Sequence, residues 1–249
     1  MTPHFEYVLR LGDSALILGQ RLAEMCGHGP VLEEDIALSN IALDLIGQAR
    51  LLLTHAGRLE GLGRDEDSLA FLRPEGQFRN VTLVELPNGD FGRIVLRNLF
   101  FSGFHELLWS DLCGSRDDEL AGIAAKSLKE TRYHWRHAAD WVIRLGDGTP
   151  TSHARMQGAL EMLWPYTREF FATDAVDEAA SRDGFGVDGA ALEGAWSDRV
   201  RAVLSEATLS PPDVTPFCST GRRGVHSEHM GHLLAEMQTL QRTYPGASW

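Results

Sequence analysis

Residues 41–53 read Ile41-Ala42-Leu43-Asp44-Leu45-Ile46-Gly47-Gln48-Ala49-Arg50-Leu51-Leu52-Leu53. Apolar side chains fall nearly all round a 3.6-residue period, and nothing alternates as in a half-buried strand. This predicts a helix that must be covered on more than one side. Pro30 stands where such a helix begins, and the pattern runs over about 31–60. Upstream, Phe5, Val8, Leu9, Leu16, Leu22 and Met25 give a helix over 4–26, broken by Gly27 and Gly29. Downstream, the segment 61–88 is rich in Gly and Pro, with room for a short helix around 80–86. A helix over 90–113 carries Phe100, Phe101, Phe104, Leu107, Leu108 and Trp109. Another, over 117–145, starts at Asp117-Asp118-Glu119, acidic residues that suit a helix N-terminus. A further helix over 152–173 takes Thr151 or Ser152 as its cap. Helices over 188–206 and from His226 to before Pro245 follow, with a loop over 210–224. The expectation is an all-α chain, a single domain over 1–249. Its four-helix core is 31–60, 90–113, 117–145 and 152–173, with additional N- and C-terminal helices.

The 249 residues are 43% hydrophobic and 23% charged, ample for a core that needs no staple. The formal net charge of −12 repels phosphate backbones, so nucleic acid is not an expected partner. Cys26, Cys113 and Cys218 are odd in number and far apart, which argues against disulfide, zinc and iron–sulfur frameworks and suits a reducing cytoplasm. Met1-Thr2-Pro3-His4-Phe5 has no basic stretch followed by an apolar run, so no signal peptide is expected, and no apolar run of bilayer length is expected elsewhere.

Four long helices invite comparison with the di-iron carboxylate bundle. That template takes a Glu from each of two helices and a Glu-x-x-His from each of the other two, because residues three apart share a helix face. Asp44 is the first candidate carboxylate, an acid set among leucines and isoleucines, with Arg50, Arg97, Arg132 and Arg136 as candidate partners. The next helix offers His105 but has Ser102 where the carboxylate belongs. The third offers Glu130, with His134 one turn on. The fourth offers Glu161, but Trp164 replaces the histidine. A hydroxyl is a poor bridging ligand and an indole is none. The pattern reads as a metal-site scaffold that has lost its metal. The competing reading is that these are surface residues or satisfied core polar groups.

Several stretches then carry a resemblance. They include Leu9-Arg10-Leu11-Gly12-Asp13, Cys26-Gly27-His28, Ala37-Leu38-Ser39-Asn40 running into Ile41–Arg50, and Leu69-Ala70-Phe71. Gln77-Phe78, Pro87-Asn88-Gly89, Lys129-Glu130-Thr131-Arg132-Tyr133-His134, His226-Ser227-Glu228-His229 and Glu236–Arg242 with Pro245-Gly246 and Trp249 complete the set. In this order, over essentially the whole chain, the sequence resembles the PaaC family of structural subunits of bacterial phenylacetyl-CoA epoxidase. The resemblance implies a ferritin-like fold and a subunit that is not catalytic alone and holds no cofactor. It implies a catalytic homologue, PaaA, that carries the di-iron site, a small subunit, PaaB, and a reductase, PaaE, with FAD and an iron–sulfur cluster. The complex is expected to convert phenylacetyl-CoA to its ring-1,2-epoxide with O₂ and NADPH, in the cytoplasm.

Two segments are weighed as coenzyme A contacts. Gln77-Phe78-Arg79-Asn80 combines an aromatic, a cation and two amides in the longest irregular region, and packing against a partner is the competing reading. Glu178, Ala179 and Ala180 form a second candidate, in a turn after the helix over 152–173. His226, His229 and His232 look metal-like, but they fall at a helix start where Ser227 can cap and Glu228 can meet free amides. The apolar excess on the helices over 31–60 and 90–113 exceeds what one bundle interior covers, which predicts a large subunit interface. The rival functions are an autonomous ferritin-like metalloprotein using Asp44, His105, Glu130, His134 and Glu161, and an acyl-CoA-binding helical protein.

Overall fold

The computed structural model describes residues 2–213 and 216–247, so Trp249, one of the residues carrying the resemblance, lies outside the described part. Among the described residues there are nine α-helices. They are α1 (Pro3–Ala23), α2 (Leu32–Glu60), α3 (Glu66–Phe71), α4 (Phe91–Leu112), α5 (Asp118–Gly146), α6 (Pro150–Leu163), α7 (Ala175–Asp183), α8 (Glu193–Glu206) and α9 (Glu228–Thr243). The described residues contain no strand, only an isolated bridge between Thr220 and Val225. The fold is all-α and ferritin-like.

The chain divides into two compact units: residues 1–87 with 220–249, and residues 88–219. The first is built on the α1–α2 hairpin. Thr2 caps α1 through its side-chain oxygen, and Pro3 supplies the preset φ of a first helical residue. The two helices approach closely because α1 carries Gly12 and Gly19, seven residues apart on one face. A Cβ on Gly12 would lie 2.9 Å from Leu53, and one on Gly19 would lie 3.0 Å from Ile46 and 3.3 Å from the Ala42 carbonyl. α3, the 3₁₀ turns at Glu75–Gln77 and Thr82–Glu85, and α9 complete this unit.

The second unit is built on the α4–α5 hairpin, with α6 and α8 against it. Asp90 and Asp117 cap α4 and α5 by accepting the backbone N–H three residues on. An aromatic cluster fills the space between α4, α6 and α8. Phe100, Trp164, Phe170, Phe171 and Trp196 pack with ring centroids 5.3–6.3 Å apart, and the Trp196 indole N–H donates to the Phe100 carbonyl at 3.0 Å.

Some sequence expectations need correction. The helix expected over 152–173 is α-helical only to Leu163 and continues as 3₁₀ from Trp164 to Phe171, because Pro165 has no N–H to give and crowds the preceding turn. Its cap is Thr149, in a reciprocal capping box with Ser152, rather than Thr151 or Ser152. The helix expected around 80–86 is the short 3₁₀ turn at 82–85, and α3 and α7 were not expected. α2 is long and apolar enough to cross a membrane by length and composition, contrary to the expectation that no such run exists. One face of it packs along α1, as the core helix of a folded hairpin does.

Candidate metal centre and ligand loop

The seven positions weighed as a vestigial metal site do not behave alike. On α2 the buried face is Leu38, Ile41, Ala42, Leu45, Gln48, Ala49, Leu52 and Leu53. Asp44 lies beside that face and is half-buried, so its reading as an acid sunk among apolar neighbours is corrected. The neighbours that suggested burial point elsewhere: Leu43 is 66% exposed. Arg50, weighed as a partner for Asp44, lies 3.5 Å from Glu66.

On α4, Ser102 and His105 are buried. The Ser102 hydroxyl donates back to the Asn98 carbonyl, one turn earlier. His105 Nδ1 lies 3.1 Å from the Phe101 carbonyl, which can only accept, so this nitrogen carries the proton. The ring stacks on Phe101 at 3.7 Å and meets Phe104 and Trp109 at 5.5 and 5.7 Å. Burial pushes His105 down to about 3 against the smaller opposing effect of the Phe101 carbonyl, so the ring is neutral at pH 7.

On α5, Glu130 is half-buried beside Lys126, 4.0 Å away, while His134 is buried. The residue that shares the buried face with His134 three positions earlier is Thr131. On this helix, from which the template takes a single carboxylate, the buried polar pair is thus Thr131 and His134, with Glu130 beside it. On α6, Glu161 is exposed and accepts from Gln157 at 3.1 Å, and Trp164 joins the aromatic cluster. No three of His105, Glu130, His134 and Glu161 converge on a common point among the described residues. The residues present do not fit a di-iron centre: the α4 and α5 faces bury hydroxyls, amides and imidazoles, but no carboxylate.

In the α1–α2 hairpin the buried carboxylate is Asp13. It is held by the fully buried guanidinium of Arg73, whose two terminal nitrogens each donate to one carboxylate oxygen. The Arg79 backbone N–H adds a third bond at 2.8 Å. Asp13 is thus committed to a cation of the chain itself. It was not singled out in the sequence, although Leu9–Asp13 lies in a stretch that carried the resemblance.

The loop weighed as a coenzyme A contact is a folding hub. Phe78 and Asn80 are completely buried, so their reading as ligand contacts is corrected. Phe78 packs under Arg73, whose guanidinium carbon lies 4.2 Å from the ring centroid. Asn80 donates to Glu85 at 2.9 Å. Arg79 turns back on the carbonyls of Gly76 and Phe78, at 2.8 and 2.7 Å, and Gln77 alone of the four is exposed. In the second candidate, α7 stands where a turn was expected. Ala179 and Ala180 form its buried face, and only Glu178 is open to solvent. The expected cap at Ser227 makes no side-chain bond. Its backbone N–H instead donates to Glu85, a buried acid that the sequence reading passed over.

A family model described as phenylacetic acid catabolic protein, shared by PaaA and PaaC, matches residues 1–249. An Escherichia coli (strain K12) protein, named as the C subunit of 1,2-phenylacetyl-CoA epoxidase, is 50% identical over 243 residues, covering 98% of each chain. The chain belongs to the PaaA/PaaC family of phenylacetic acid catabolic proteins.

Proposed function

We propose that this chain is the structural, non-catalytic subunit of a phenylacetyl-CoA 1,2-epoxidase in aerobic phenylacetate degradation. It supports a homologous catalytic subunit, PaaA, that carries the di-iron centre. PaaB and the reductase PaaE complete the cytoplasmic assembly, with NADPH, FAD and an iron–sulfur cluster serving the reductase. The observation that carries the reading is the donor set. The buried faces of α4 and α5 offer Ser102, His105, Thr131 and His134 without a carboxylate, and Asp13 in the α1–α2 hairpin is tied to Arg73. Iron held by oxygen and nitrogen donors needs anionic carboxylates to balance its charge, and these positions supply none that is available.

The subunit role is supported by α2. Leu32, Ile36 and Leu43 are 70%, 52% and 66% exposed and lie on one side of the helix with Leu51. Gly47 lies between Leu43 and Leu51, with open space where a Cβ would stand, so the strip is flat, and exposed Asn40 and Arg50 add polar groups to it. Such a face suits a large subunit interface. The other helix expected to contribute, α4, is buried along most of its length and has little apolar surface left to offer. The test is the double variant Ile36→Lys, Leu43→Lys, mixed with the catalytic homologue. Because both side chains are exposed, unfolding of the isolated chain is expected to change by no more than about 0.5 kcal/mol. Assembly in gel filtration, and with it epoxidation, is expected to be lost. Unchanged assembly would overturn α2 as the interface.

A further inference from the structure

His226 stands where the chain re-enters the first unit after the excursion through residues 88–219. Its side chain and that of Glu85 are fully buried. One ring nitrogen, Nδ1, lies 2.8 Å from Glu85 Oε2, and the other, Nε2, lies 3.1 Å from the Phe78 carbonyl. Neither a carboxylate nor a carbonyl donates, so both nitrogens must carry protons for both contacts to be hydrogen bonds. A neutral imidazole satisfies only one of them. Glu85 is fully engaged in the same sense, accepting from Asn80 Nδ2, from His226 and from the Ser227 backbone N–H.

The charges around the ring come from every element packed against it. Glu85 comes from the 82–85 turn, Glu75 from the 75–77 turn, Arg79 from the intervening loop and Arg21 from α1. Glu228 and His229 follow on its own strand of chain. Arg21 donates to the Glu85 carbonyl at 3.0 and 2.7 Å and to the His229 carbonyl at 3.5 Å, and Arg79 donates to the same Phe78 carbonyl as the imidazole. Burial disfavours the charged ring. The hydrogen bond and charge of Glu85, the Phe78 carbonyl and the charge of Glu75 outweigh it, so His226 is raised above the usual histidine value.

The geometry points to His226 as a protonation-dependent latch that holds the C-terminal strap, residues 220–243, onto the 78–85 segment. Further attachments of the strap use groups that do not titrate near neutrality. Gly221 N–H donates to Thr82 Oγ1 at 3.1 Å, and a Cβ at Gly221 would lie 2.5 Å from the Asn80 carbonyl, so the strap runs hard against this segment. Gln238 on α9 donates to the Ala70 and Arg73 carbonyls at 3.0 Å each, and Arg242 donates to the Arg73 carbonyl at 3.2 Å. Deprotonation of His226 leaves one ring nitrogen facing an acceptor with nothing to give, and removes the partner charge from buried Glu85.

The sign follows from the raised folded value. The latch is fully closed below pH about 6.5, the unfolded histidine value, and its contribution is lost as pH rises through the higher folded value. The experiment is amide hydrogen exchange of the full chain between pH 6 and 9, corrected for intrinsic rates, in the wild type and in His226→Gln. Protection within 220–243 in the wild type is expected to fall by up to about tenfold per pH unit between the unfolded histidine value and the higher folded value, and to level off above it. In the variant it should be low and independent of pH. Imidazole ¹⁵N shifts of the wild type, which need no variant, are expected to show both nitrogens protonated at pH 6.5. A neutral His226 at that pH, or strap protection unchanged from pH 6 to 9, would overturn the latch.

Discussion

The two units solve the same packing problem with different chemistry. Both rest on a hairpin of long helices, but the first ties its interior with buried charges and the second fills it with rings. Asp13–Arg73 and Glu85–His226 cross-link the 73–85 region to α1 and to the start of the C-terminal strap. In the second unit Phe100, Phe104, Phe170 and Trp196 dominate, and the buried His105 meets aromatic faces and a single carbonyl. Two of the buried histidine side chains, one in each unit, are driven in opposite directions: His226 up by its carboxylate, His105 down by burial. Surroundings, not residue type, decide the charge state. It follows that acid should strain the ring-filled unit and alkali should loosen the charge-tied one.

The largest expected effect comes from opening the charge-tied unit. Arg73→Met keeps much of the stem's packing over Phe78 but leaves Asp13 buried without its cation, at a cost of about 3–5 kcal/mol in denaturant unfolding. A loss below about 1 kcal/mol would mean that the pair is not what organises this unit. The next effect is acid sensitivity through His105. Its folded value, about 3, lies below the unfolded one, so the unfolded chain binds the extra proton as pH falls. Stability should drop by up to roughly 1.4 kcal/mol per pH unit below about 6.5, and this component should vanish in His105→Phe. Identical acid slopes for the two proteins would remove His105 from the account.

The smallest effect is expected at Asp44. Since it is half-buried, Asp44→Asn should change stability by about 1 kcal/mol or less, the range of a partly exposed charge. A larger loss would restore the structural weight that the sequence alone assigned to it.

That contrast shows what the sequence made legible. The helices over 31–60, 90–113 and 117–145 match α2, α4 and α5 to within a residue or so, because long periodic segments carry their own signal. α3 and α7 are short, α3 between Gly63 and Pro74 and α7 stopped by Gly184, where local signal is weak. Asp44 misled because apolar neighbours in sequence are not neighbours on a helix face: Leu43 and Leu51 themselves face outward. Thr131 went unseen because a buried hydroxyl carries no motif, and only shared burial with His134 reveals the pair. The partners of Asp13 and Glu85 lie 60 and 141 residues away in the chain, beyond any spacing rule.

The central claim is that this chain supports iron chemistry without holding iron. The direct measurement is to co-produce it with its catalytic homologue, separate the two chains under native conditions, and determine iron in each. The account predicts well under one iron per molecule of this chain and the iron retained by its partner. Stoichiometric iron in this chain, with an oxo-bridge absorption band, would contradict it.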